Sequence, residues 1–311
     1  MKNDRSILVP LDGSPSSAAA LPLAVSIARR EGATLHLVHV HDRPVQPRGD
    51  PPIDLRFDVE MEQQMQRELD STADWVRHDA GVAVDAMLLE ADGRAAPALA
   101  EHADATRPSL IIIHSHRRGG IPRLWHGSVA DLLARRSGVP VLIAKPSKEA
   151  LPATLNTSEP LFEHVLLPLD GSRLAEGIAD HAIAVAEPGR TRFTLLRVIT
   201  PLPTDAQPAP APAITLDKIE IEDRPADALV EFARVARKLE QGGFRWTSRT
   251  VVNARPAKAI LAFASDHAVD LIALSTHGHG GISRTVLGSV ADKVTRGAKT
   301  AILIYHPSGS D

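Results

Sequence analysis

The chain is written twice. Residues 7–14 read ILVPLDGS and residues 165–172 read VLLPLDGS, an offset of 158 from Asp12 to Asp170. Further on, GSVADLLARRSGVPVLIAKP begins at Gly127 and GSVADKVTRGAKTAILIYHP begins at Gly288, an offset of 161. Three extra residues therefore enter between these anchors, most naturally in the irregular stretch after the second strand of each half. A repeat of this length is far too long for a solenoid or a propeller blade and has the size of one α/β domain. The polar, proline-containing segment 146–159 joins the copies, so the domains are expected at 1–147 and 160–311.

Each copy alternates short Val, Ile and Leu runs with helical patterns. In the first half the strands are predicted near 6–11, 34–41, 82–89, 109–113 and 139–144. In the second they are predicted near 164–169, 192–199, 245–252, 271–275 and 300–304. The segment SSAAALPLAVSIARR reads as one helix with basic residues in its last turn, and the helix beginning VEMEQQMQRELD ends at Gly81. Aromatic residues are only 3% of the chain, so the core must come from Ala, Val, Leu and Ile, as in buried parallel strands and their covering helices. Strands alternating with helices imply βαβ units with right-handed crossovers. The expectation is two tandem doubly wound α/β domains with helices on both faces of each sheet. Ligands of such sheets bind beyond the carboxyl ends of the strands, where strand order reverses. The run PLPTDAQPAPAPA at 201–213 is expected to be an exposed extended loop, with a proline ligand for a partner as the alternative.

Bulk properties remove several function classes. Formal net charge is -3, so no overall positive field draws in nucleic acid or an anionic membrane. Arg117, Arg118 and Arg123 form a small basic loop, either solvated surface or a phosphate contact. The chain has no cysteine, which excludes disulfides, thiolate metal sites and redox thiols. No apolar run approaches the ~18 residues of a membrane span, and the N-terminus lacks a signal-peptide core. A cytoplasmic location is the default expectation.

The chemistry concentrates after the fourth strand of the second half, in STHGHGGISRTVLGSVADKV from Ser275. Gly278 lies in this loop, and Gly288-Ser289 opens a helix. A glycine-rich turn leading into a helix N-terminus is an anion site, because unpaired N–H groups and the helix dipole point the same way. Glycines at 278 and 288 let phosphate oxygens approach the main chain, and Ser289 can add a hydroxyl. Asp170 ends the first strand of this half. It can accept from a ribose hydroxyl or an adenine amine, or it can cap the helix that follows. Asp12 has the same two options.

Other motifs fail. Gly278-His279-Gly280 does not continue as G-x-G-x-x-G and follows the wrong strand, and no P-loop occurs. His36, His39 and His41 cluster on one strand, and His114 and His116 follow another. Zinc or nickel binding lacks an acidic companion, so locally bonded histidines are expected and no metal site is assigned. His277 could donate to phosphate. Ser14, Ser172 and Ser289 lack the setting of a hydrolase nucleophile, and no catalytic residue is assigned.

With the PLDGS strand end, the loop spacing G-x2-G-x9-G-[S/T] and the apolar final strand in their places, the sequence resembles the universal stress protein family in its tandem form. The resemblance covers nearly the whole chain. It implies in each half a five-stranded parallel sheet of order 3-2-1-4-5, pairing of the two domains within the chain, and binding of ATP or AMP, with magnesium and a homodimer left open. Carried over, Pro168, Asp170 and Val198 would border adenine and ribose. Leu274, Ser275, His277, Gly278, Gly288, Ser289, Val290 and Ala291 would surround ribose and phosphates. Ser275 stands where the family has its first glycine.

The first half departs further. Its counterparts are Asp12, Val40, His116, Arg117, Gly127 and Ser128, with His114 and Arg117 in place of the two loop glycines. The Arg117 side chain would block main-chain contact, although its guanidinium could meet a phosphate. A degenerate first domain is therefore expected. The implied function is nucleotide-dependent stress response. The rivals are a weak ATPase or nucleotide hydrolase, with slow hydrolysis or autophosphorylation open, and a scaffold that binds no nucleotide.

Overall fold

A computed structural model describes residues 5–43, 55–114, 128–145, 161–201, 219–221, 225–276 and 287–306. The chain divides into two compact units, residues 1–159 with 304–311, and residues 160–303. No helix among the described residues is long and apolar enough to cross a membrane.

The first unit runs β1 (Ser6–Leu11), α1 (Pro15–Ala18), α2 (Leu21–Glu31), β2 (Thr34–Arg43), α3 (Leu55–His78), β3 (Val84–Asp92), α4 (Ala95–Thr106), β4 (Leu110–His114), α5 (Ser128–Arg136) and β5 (Val141–Ala144). Its strands lie in the order β3-β2-β1-β4-β5 and pair in parallel, the order expected. Ile7, Leu8 and Val9 are consecutive and fully buried, so both faces of β1 are covered. Right-handed crossovers put α2 and α3 on one face and α4 and α5 on the other, and α4 packs on α5 accordingly.

The expected single helix after β1 is two. Ala19 closes α1, and Pro22 sits in the first turn of α2, where its missing N–H costs nothing. Gly32 then ends α2 in the left-handed region at φ 62°. The third strand also runs later than expected. Val82 is buried, but its N–H closes back onto the Val76 carbonyl beyond α3, while Glu90 to Asp92 stay paired with His41 to Arg43 of β2.

The second copy of the repeat follows the same plan: β6 (His164–Pro168), α6 (Arg173–Glu176), α7 (Ile178–Val185), β7 (Arg192–Ile199), β8 (Ile219–Ile221), α8 (Pro225–Gln241), β9 (Arg245–Val252), α9 (Pro256–Asp266), β10 (Leu271–Ser275), α10 (Ser289–Gly297) and β11 (Ala301–Tyr305). The strand order is β11-β10-β6-β7-β9-β8. One strand exceeds the expected five. β8 is a three-residue edge strand, antiparallel to β9, with Ile219 opposite Val252. Three residues are too few to give a periodic signal, so the sequence alone did not announce it. Val165, Leu166 and Leu167 are fully buried, as are Leu271, Ile272 and Ala273, so β6 and β10 are covered on both faces. Phe193, also buried, meets Phe244 edge to face with centroids 5.1 Å apart.

Candidate functional site

The Asp-Gly-Ser turn is built alike in both units. After β6, Gly171 takes φ 81° and Ser172 accepts from the Ala175 N–H at 3.1 Å, capping α6. Asp170, exposed, accepts the Ser172 N–H at 3.0 Å. After β1, Gly13 takes φ 72°, Ser14 caps α1 through the Ser17 N–H at 3.1 Å, and Asp12 accepts from the Ser14 N–H at 3.0 Å and the Ser14 hydroxyl at 2.6 Å. The serine is thus the cap, not the aspartate as one option had it. The aspartate holds the serine in place.

At the far side of β6 stands the start of α10. Gly288 leaves the loop extended, at φ -53° and ψ 147°, and its N–H donates to the Thr276 carbonyl at 2.9 Å. A Cβ at Gly288 would lie 2.7 Å from that same oxygen. The Gly288 amide is thus spent on closing the loop, and the glycine is required by that closure. Among the described residues, the amides left over are those of Ser289, Val290 and Ala291, which have no partner inside the helix by position, with no side-chain cap at Gly288. Ser289 and Val290 are exposed and Ala291 is buried. The dipole of α10 adds about half a positive charge there.

Register shows which expected residues share a face. His164 pairs with Arg192, Leu166 with Thr194 and Pro168 with Leu196, so Pro168 and Val198 project to the same side as His164. The His164 ring sits 3.0 Å from the His267 carbonyl at the end of α9, which identifies that side as the one α9 covers. Ile272 pairs with Leu166 and lines the space between α9 and α10, and Leu274 follows it on the same face. Pro168, Val198, Leu274 and the first turn of α10 therefore gather at the carboxyl ends of β6, β7 and β10. Strand order reverses between β6 and β10, the position favoured for ligands. Ser275 ends β10, half-buried. His277 and Gly278 lie outside the described residues.

In the first unit, Val40 is half-buried near the end of β2, and Ser128 opens α5. His116, Arg117 and Gly127 lie outside the described residues. The β2 histidines split between the two faces. His36 meets His102 of α4, with Nε2 atoms 3.1 Å apart, and burial pushes both imidazoles below their usual range. His41 is buried against Asp58 at 3.0 Å. Burial also lowers His39, against the pull of Asp12 and Glu68. His114 bonds the Ser16 hydroxyl at 3.2 Å. Among the described residues no three His, Asp or Glu side chains gather to hold a metal ion.

Beside α10's first turn, a cavity of about 850 Å³ opens between α9 and α10. Arg255, Lys258, Lys293 and Lys299 line it with Ser289 and Val290, and no carboxylate does among the described residues. The sequence reading missed these four cations because they are scattered over 45 positions, 255–299, and only helix packing unites them. The available signal was the comparison between halves. With the 161 offset, Lys258, Lys293 and Lys299 face Pro97, Leu132 and Gly138, and Arg255 alone keeps its counterpart, Arg94.

Comparison with known proteins agrees with the architecture. The pattern of the universal stress protein family matches residues 4–145 and again 161–306. Universal stress protein Rv2005c of Mycobacterium tuberculosis is 27% identical over 199 residues, which is 64% of this chain and 62% of that protein. The chain thus matches less than two thirds of that relative's length. Universal stress protein MJ0531 of Methanocaldococcus jannaschii is 27% identical over 154 residues, 50% of this chain and 88% of that protein. The crystal structure of a universal stress protein from Archaeoglobus fulgidus superposes with a TM-score of 0.67 at 20% identity, over 97% of this chain and 96% of that one, a likeness of fold. With the family pattern present in both halves, the chain belongs to the universal stress protein family and carries two of its domains in tandem.

Proposed function

We propose that the chain binds an adenine nucleotide, ATP or AMP, in its second domain and acts as a nucleotide-dependent stress-response protein. The observation that carries this is the uncapped first turn of α10 set at the switch point between β6 and β10. Amides at Ser289, Val290 and Ala291 would take phosphate oxygens, with the Ser289 hydroxyl beside them. Pro168, Val198 and Leu274 supply an apolar wall on the same face, suited to the adenine ring. Asp170 would turn its carboxylate toward ribose from the neighbouring strand end. In this reading Gly278 and His277 complete the loop, and the first domain, with Arg117 where a glycine is needed, is structural or regulatory.

The test is direct. Full-length protein purified without added nucleotide is denatured, and released small molecules are identified by mass. Calorimetry with ATP and with AMP follows, with and without magnesium. An adenine nucleotide in the released fraction, or saturable heat with either ligand, supports the reading. Absence of both overturns it in favour of a scaffold that binds no nucleotide. Turnover of labelled ATP that vanishes in Asp170→Ala would move the protein to the enzyme class.

A further inference from the structure

The nucleotide reading leaves ATP and AMP equal. The α9–α10 cavity does not. It begins at Ser289 and Val290, the residues assigned to phosphate, and continues along α9 and α10 past Lys258 and Lys293. Arg255 precedes α9 and Lys258 lies in its first turn, while Lys293 lies one turn into α10 from Ser289. The two helices run the same way, since each follows a parallel strand and returns to the next. Their N-terminal ends are therefore side by side, and neither has a side-chain cap bond. Arg255, Lys258 and Lys293 thus line the cavity toward the N-terminal ends of the helices, Lys299 and Thr300 follow the C-terminal end of α10, and Leu261, Val269 and Ile272 give the space between an apolar wall. Four cations with no carboxylate among the described residues along one cavity, on a chain whose net charge is -3, are not an average sample of its surface. The first half gives an internal control, with Pro97, Leu132 and Gly138 where the lysines stand. The same fold is therefore made without these charges, so packing does not demand them.

We infer that this cavity is a polyphosphate subsite, in which Arg255, Lys258 and Lys293 hold the distal phosphates of a nucleoside triphosphate and so select ATP over AMP. The inference rests on the nucleotide reading for the position of the first phosphate, and adds charge selection by the second half alone. A triphosphate anchored at Ser289 extends into the cavity, where the lysine ammonium groups act as point charges and the Arg255 guanidinium offers a bidentate fork. A monophosphate ends before it.

The experiment uses the full chain and three probes: ATP, AMP and inorganic tripolyphosphate. ATP is expected to bind about tenfold or more tightly than AMP, the yield of one or two charge-assisted contacts. Tripolyphosphate is expected to bind alone and to compete with ATP. In the Lys258→Ala/Lys293→Ala double variant, ATP affinity should fall toward that of AMP, AMP affinity should hold, and tripolyphosphate binding should weaken about tenfold or more. Both lysines are exposed, and an unchanged melting curve will show that the variant folds. Equal binding of ATP and AMP, with no tripolyphosphate binding, overturns the inference and leaves the nucleotide reading standing. Tripolyphosphate binding without any nucleotide binding supports the subsite and overturns the nucleotide reading. Silence from all three probes overturns both.

Discussion

Ser289→Asp separates ligand binding from folding, because the two respond in opposite directions. Ser289 is the first residue of α10, exposed, behind an N-cap that makes no side-chain bond. A carboxylate there meets the positive end of the helix, which stabilises exposed sites by about 0.3–1 kcal/mol. The same carboxylate would stand beside the proposed phosphate. At a separation of about 5 Å, Coulomb repulsion is roughly 0.8 kcal/mol in bulk water and roughly 3 kcal/mol at an effective dielectric constant of 20. Affinity should therefore fall about four- to 150-fold for each phosphate charge at that distance. Ser289→Ala is the control, removing only a hydroxyl contact worth about 1 kcal/mol. Urea melts and calorimetry with ATP, on the same preparations, read both effects. The expected result for the aspartate variant is equal or higher stability with weaker nucleotide. Unchanged affinity would show that phosphate does not sit at α10. Lost stability would show that these amides already have partners in the folded chain.

Other outcomes follow from the same geometry. Gly288→Ala should cost about 1–3 kcal/mol, because its methyl would lie 2.7 Å from the Thr276 oxygen; an unchanged urea midpoint would contradict that approach. Phe193→Ala should cost about 3–5 kcal/mol, since the ring is fully buried against Phe244; a loss under 1 kcal/mol by urea melt, on the same scale, would mean the site collapses freely. Stability should also fall on acidification. Burial lowers the folded-state pKa of His164, with Arg192 acting the same way and the His267 carbonyl opposing, so the unfolded chain takes up the proton first. That contribution is complete above about pH 6.5 and is lost as pH drops below it. Urea midpoints between about pH 7.5 and pH 5.5 should decline, less steeply in His164→Gln; equal slopes would remove His164 from the account.

Much of the fold was legible because its central strands are buried on both faces. The apolar runs within β1, β7 and β10 stand between turn residues, and their predicted ends coincide with those found, as do those of the more polar β9. Where polarity and pairing disagree, the reading slipped. β3 is an edge strand whose last residues are Glu90, Ala91 and Asp92, and β8 is too short to be periodic. The site was legible in part. Composition and spacing marked Gly288 and Asp170, yet both have first duties to the chain itself, one closing a loop and the other holding a helix cap. Spacing along the chain cannot tell a glycine needed by a neighbour's carbonyl from one needed by a phosphate. Nor can it collect Arg255, Lys258 and Lys293, because their proximity exists only after α9 packs on α10.

The bond from Gly288 to Thr276 makes the segment between them a cassette. Its two ends are fastened to each other by backbone atoms, and Leu287, just before Gly288, adds a buried side chain to that closure. Closing such a loop costs entropy that grows only with the logarithm of its length, about 0.6 kcal/mol per doubling. Insertions and exchanges there are cheap to the fold while they rewrite what the crevice can hold. Two copies of one gene segment could drift apart at this point, one toward arginine and one toward glycine, without either losing its shape. Transplanting residues 116–125 into positions 277–286, equal in length and stopping short of buried Leu287, is the engineering form of that drift.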